Sequence, residues 1–165
     1  MDKLEALYIK MLEHNNEDPR RCHHLIKVHS LARLLGLMEG LSPRQQLILE
    51  AAAYVHDIGI RPGEAKYGAG KCTGKIQEQE GPAVAEAMLQ ELGFDAELVK
   101  RVCYLVGHHH TYNNIEGSDY QLLVEADFLV NLYEDGVAKE KVAIAVERIF
   151  KSKSGIQLAK TMYGI

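Results

Sequence analysis

Cysteine is scarce in this chain, and what there is stands apart. Cys22, Cys72 and Cys103 are odd in number and widely spaced. No CxxC pair occurs, so the sequence carries neither a disulfide scaffold nor a structural zinc site, and each thiol reads as a small core or loop residue. A basic excess is also lacking. The 19 Lys and Arg stand against 23 Asp and Glu, a net charge of −4, which leaves no footprint for non-specific nucleic-acid binding or for specific DNA recognition. A local group of cations can still hold an anionic substrate, because such a ligand responds to the field at its site. No apolar run approaches the ~20 residues that span a bilayer, and the opening MDKLEALYIKMLEH alternates charge with apolar residues instead of forming a leader. The expectation is a cytoplasmic protein with no membrane partner. Sustained period-two alternation is absent too, which leaves an all-α class.

The 165 residues suit one domain, 1–165, with a real core. An amphipathic start covers about 2–14. Asp18-Pro19 supplies an N-cap and a proline at the first helical position, opening a helix towards Gly40. Ser42-Pro43 repeats that signal for a helix ending near Ile58-Gly59, where Gly59 suits a C-terminal cap. Further helices are expected from Gly81-Pro82 to Gly93, from Asp95 to about His109, from Asp119 to about Glu134, and over 138–150 and 153–162. The last segment is apolar enough to pack on this domain or on a second copy, so a homo-oligomer is possible.

Residues 59–75 form the one long piece expected to be irregular, and loops of that length are usually functional or mobile. Arg61, Lys66, Lys71 and Lys75 sit there among glycines. A phosphate-binding P-loop is excluded, because GxxxxGK[ST] would need glycine at Ala69 and Ser or Thr at Ile76, and no strand precedes. The segment reads either as a solvated loop or as a lid whose Lys71 and Lys75 meet a substrate phosphate.

Four features carry chemistry. In AAAYVHDIG, 51–59, an apolar helix ends in adjacent His56 and Asp57; an ionised carboxylate there needs a compensating charge, which a divalent Mn, Fe, Co, Ni or Zn supplies. Along 21–38, His24, Val28, Leu31, Leu35 and Met38 share a helical face, with Arg21 one turn earlier, whereas His29 points away. Leu98, Val102, Leu105 and His109 share another stripe, with His110 beside it and His108 outward, so His109 or His110 is a site residue. In LLVEADFLVN, 122–131, apolar residues lie on both sides, and the pattern leaves open whether Glu125 or Asp127 faces the core.

Taken in order, His24, then His56-Asp57, then Asp127 resembles the H…HD…D signature of the HD-domain metal-dependent phosphohydrolase superfamily. The likeness extends to the helical contexts of these residues over roughly 20–135. It implies a compact bundle of about six to eight helices, with Asp127 chosen over Glu125 and one divalent metal in a central cleft. It implies hydrolysis of a phosphate ester of a nucleotide or other small phosphorylated metabolite, with Asp57 orienting water as general base and Arg21 holding phosphate. Two-metal members of the superfamily carry two more histidines; His109 and His110 resemble the later one, and Glu78 or Glu80 stands where the earlier has no histidine counterpart. With one metal, His110 or one of these glutamates, Glu78 or Glu80, would protonate the leaving group. The resemblance also admits a di-iron oxygenase or a silent metal- or nucleotide-binding regulatory module.

Overall fold

The computed structural model describes residues 1–165 and contains helices and turns, with no strand. Local chemistry sets where the helices begin. α1 (Lys3–His14) starts from a capping box in which Asp2 accepts from Glu5 N and the Glu5 side chain answers to Asp2 N. α2 (Pro19–Met38) and α3 (Pro43–Val55) start as expected, from Asp18-Pro19 and Ser42-Pro43. α6 (Ala96–Val106) is capped by Asp95, and α9 (Lys153–Tyr163) by Ser152. α7 (Ser118–Glu134) begins without a side-chain cap, and Asp119 in its first turn is clamped by Arg101 instead. α8 (Lys139–Ile149) completes the C-terminal pair.

The stretch from Gly59 departs from expectation. Ile60–Tyr67 forms a helix, α4, so the structure has nine helices and the irregular piece shrinks to a short turn. α5 (Gly74–Glu91) opens at a Thr73 cap, well before Gly81-Pro82, and carries Pro82 inside it. Gly-Pro reads as a helix start, yet Gly81 is there to permit close approach. A Cβ on Gly81 would lie 2.6 Å from Val106 Cγ1, and a Cβ on Gly59 would lie 2.5 Å from the Gln77 carbonyl and 2.6 Å from Gly81 N. These two glycines let the turn after α3 sit directly on α5, which brings Gln77 and Glu78 towards the end of α6.

α2 packs between α3 and α7, while α3 also meets α1 and α6; α5 pairs with α6 and α4 leans on α5. One connected apolar core runs through these helices, from Leu7 and Met11 through Leu25, Leu49 and Leu105 to Leu129 and Val146. α9 settles on α7, α8 and α2, burying Ala159 against the same chain. No helix is long and apolar enough to cross a membrane.

Because the Gly59 contact is with backbone, which cannot swing aside, Gly59→Ala should cost about 2 kcal/mol through overpacking. Urea unfolding should show a lower midpoint with an unchanged slope.

Candidate metal centre

Four helices each bring one end, or one turn, to the same point. α2 supplies His24, buried in its second turn. α3 ends at His56, which is fully buried, and Asp57 follows. α6 ends just before His109, also buried, and the middle of α7 supplies Asp127. His24 Nε2 lies 3.2 Å from Asp127 Oδ1 and 3.4 Å from Asp57 Oδ2. His56 Nε2 lies 3.5 Å and 3.6 Å from the same two oxygens.

The far edges of the rings explain which nitrogens face inward. His56 Nδ1 donates to the Ala53 carbonyl at 2.9 Å, and His109 Nδ1 to the Val106 carbonyl at 2.8 Å. His24 Nδ1 meets Glu134 Oε1 at 2.5 Å. Each Nδ1 therefore carries a proton, which leaves the inward Nε2 of the neutral ring with a lone pair. Four buried side-chain polar atoms in the chain lack a hydrogen-bond partner, and two of them are His24 Nε2 and His56 Nε2. In the neutral rings these lone pairs face carboxylate oxygens, and they repel unless a proton or a metal cation stands between them. Ligands bound at 2.0–2.2 Å around one tetrahedral ion stand about 3.3–3.6 Å apart, close to the 3.2–3.6 Å between histidine nitrogens and carboxylate oxygens here. His24, His56 and Asp57 thus form a metal-competent group, with donor atoms within 4.8 Å of one another, and Asp127 Oδ1 joins it at 3.2 and 3.5 Å from the two histidine nitrogens.

Without a metal, a proton takes that place. Burial works against charge on His56, but the Asp57 and Asp127 carboxylates outweigh it and push the ring up to about 9. His24 is raised in the same way, against burial, by Asp127 and Asp57. Burial likewise opposes ionisation of Asp127, and contact with His24 and His56 overcomes it, holding the carboxyl well below the usual range. Cation binding here competes with protons, as at any imidazole–carboxylate site.

Asp57 faces two ways. Its Oδ2 looks to His24 and His56, while Oδ1 lies 3.2 Å from His109 Nε2. Donor atoms of Asp57, His109 and His110 fall within 4.8 Å of one another, forming a second metal-competent group on the same carboxylate. His110 is braced on three sides: Gln77 Oε1 at 2.7 Å from Nε2, the Tyr112 hydroxyl at 3.3 Å from Nδ1, and Glu78, which accepts from the His110 backbone N–H at 2.9 Å. Burial, then the neighbouring His109, push His110 down to about 4. A ring so lowered is neutral at neutral pH and held by hydrogen bonds.

A cavity of about 430 Å³ opens on this group, reaching His24, Asp57 and His110. Arg21 lines it, as expected, and so does Arg20, which the sequence pattern did not single out. Lys71, Lys75 and Glu80 do not. Both lysines are exposed outside the cavity, on and beside the turn that follows α4. Glu80 pairs with Lys66 at 3.0 Å, because α5 begins early and turns that residue towards α4. Glu78 is the acid of that run that serves the site, as the brace under His110. His29, off the site as expected, is half-buried against Tyr54 and bonded to Glu50. Glu125 is fully buried but faces the α8–α9 connection, taking N–H groups from Lys151 and Ser152 at 2.7 and 2.9 Å; Asp127 alone points to the metal group.

Two supports were missed. Asn131 Nδ2 donates to Asp127 Oδ1 at 2.8 Å, and Glu134 holds His24. With Asp127 they fall at i, i+4 and i+7 on α7, a polar stripe whose spacing was visible in the sequence.

The sequence matches the family model of the HD domain over residues 21–149. A crystal structure of a predicted HD superfamily hydrolase from an uncultured Thermotogales bacterium superimposes with a TM-score of 0.71 at 23% identity, covering 99% of this chain and 86% of that one. That likeness establishes the fold. No curated protein matches the sequence.

Glu134→Gln keeps the shape of the brace but removes its charge. Metal affinity should fall about ten-fold or more, as losses of outer carboxylates do, with an unchanged circular-dichroism spectrum; competition titration against a chelating dye measures it.

Proposed function

Because the chain belongs to the HD-domain family, we propose that it is a metal-dependent phosphohydrolase acting on a small phosphorylated substrate, nucleotides included. The observation that carries this reading is the pair of partnerless Nε2 atoms of His24 and His56 aimed at the oxygens of Asp57 and Asp127. A divalent transition metal held by these four would supply Lewis acidity towards a phosphoryl oxygen and lower the pKa of water towards neutrality.

The remaining work belongs to side chains of this protein. Arg21, with Arg20 beside it, stands at the cavity wall to bind phosphate oxygens through charge-assisted hydrogen bonds. Asp57 is strongly ionised, because His56 and His109 outweigh its burial, so its oxygens orient the attacking water by accepting its hydrogen bond. His110, fixed by Gln77 and Tyr112, offers its ring to the leaving-group side. Asn131 and Glu134 keep Asp127 and His24 in register, which limits the reorganisation needed on reaction.

The shared use of Asp57 by the His109–His110 group leaves room for a second ion in the same pocket. Metal content after purification without an affinity-metal column separates the cases. About one ion per chain supports the single-metal hydrolase; two irons with oxygen consumption would point to an oxygenase, and none to a binding module.

A panel of phosphate monoesters run with Mn, Co, Ni and Fe tests the activity. Asp127→Ala should lose bound metal and hydrolysis together, and full turnover by a metal-free Asp127→Ala protein would refute the assignment. Arg21→Ala should keep its metal and raise KM about ten-fold or more, the usual cost of a lost hydrogen bond to a charged group.

A further inference from the structure

The metal-facing cavity has only one apolar wall residue, Ile60. It suits a phosphate and the polar atoms around it but offers no surface for a ring. A second cavity, of about 600 Å³, lies where α8 passes Tyr112 and Phe128. α8 buries Val142 and Val146 in the core. Its Lys141, Ile144, Ala145 and Arg148, spaced i, i+3, i+4 and i+7, line this cavity on another face.

Two properties of the groove specify what fits it. Tyr112 and Phe128 meet edge to face at 5.2 Å, and Ile144, 54% exposed, lies across from them, so a flat apolar body has both a wall and a floor. Lys141 and Arg148 are exposed and make no ion pair or side-chain hydrogen bond. Residues 138–165 hold six Lys and Arg against two Glu in a chain whose net charge is −4. The groove is thus a cationic, aromatic-walled site on an otherwise acidic molecule.

It also neighbours the metal centre. The Tyr112 hydroxyl touches His110 Nδ1, and His110 lines the metal-facing cavity. Phe128 directly follows Asp127 in α7. Tyr112 is therefore the partition: its hydroxyl end belongs to the chemistry and its ring to the groove.

We propose that the groove between α8 and the Tyr112–Phe128 pair is a second subsite, which takes the non-reacting end of the substrate: a planar ring together with an anionic group remote from the scissile phosphate. The inference rests on the phosphohydrolase reading above and narrows the substrate to ring-bearing phosphate esters with two separated anionic groups, as in a nucleoside bisphosphate. Tyr112 and Phe128 take the ring, and Lys141 and Arg148 the second anion.

Adenosine 3′,5′-bisphosphate and adenosine 5′-monophosphate are a matched pair of probes, differing by one phosphate. The metal-loaded full chain should show a preference of about ten-fold in kcat/KM for the bisphosphate, the scale expected for two exposed cations. The K141A/R148A double variant should lose that preference through KM, and K141R/R148K should restore it. Calorimetric binding of the bisphosphate should weaken about ten-fold in K141A/R148A, a readout independent of turnover. Equal kcat/KM for the two probes, or unchanged binding by K141A/R148A, overturns the subsite even where monoesters are hydrolysed. Bisphosphate binding that depends on Lys141 and Arg148, in a protein that hydrolyses no phosphate ester with any metal, would instead uphold the subsite and overturn the hydrolase reading.

Discussion

Two carboxylates and three imidazoles meet in the apolar centre of this protein, and the architecture turns on how their charge is compensated. Asp57 and Asp127 are 12% and 4% exposed at the side chain. Isolated ions so placed would cost several kcal/mol each. Hydrogen bonds alone do not compensate them, since the inward Nε2 atoms of His24 and His56 find no aligned partner. A shared cation would, with His24, His56, Asp57 and Asp127 as its ligand set and His109 on the other oxygen of Asp57, and the burial of His56 and Asp57 at a helix end would then be favourable.

Around that point the fold behaves as a positioning device. His56 and His109 occupy equivalent places, each just past the end of its helix and each tied through Nδ1 to the carbonyl three residues back. Helix ends leave carbonyls without intrahelical partners, and here those carbonyls orient the rings. Glu134 performs the same service for His24 from α7, so all three rings present the same nitrogen. The close contact of Gly59 with Gly81 then sets α5 against the far side, where Gln77 and Glu78 hold the His110 turn.

Much of this was legible in the sequence because it rests on local signals. Asp18-Pro19, Ser42-Pro43 and Asp95 mark helix starts through side chains that accept from the first-turn N–H groups, and the apolar stripes ending in His24 and His109 mark inward faces. The parts that were not legible depend on what lies across the fold. Glu125 and Asp127 sit in equally apolar surroundings, and only the position of the α8–α9 connection separates the structural acid from the metal-facing one. Gly81-Pro82 imitates a helix start, although Gly81 is glycine because Gly59 and Val106 press on it. That imitation hid α4, left a short turn looking like a long loop or lid, put Lys71 and Lys75 forward, and left Glu78 undistinguished from Glu80. The α7 stripe of Asp127, Asn131 and Glu134 was visible but is distinguishable from a solvated face only once His24 is seen against it.

Anomalous diffraction from crystals grown with manganese tests the shared-cation claim most directly. A peak is expected about 2.0–2.2 Å from Nε2 of His24 and His56 and from carboxylate oxygens of Asp57 and Asp127, with Glu134 still on His24 Nδ1. A fully occupied manganese bound elsewhere, with these four side chains apart and bonded to other groups, would contradict it.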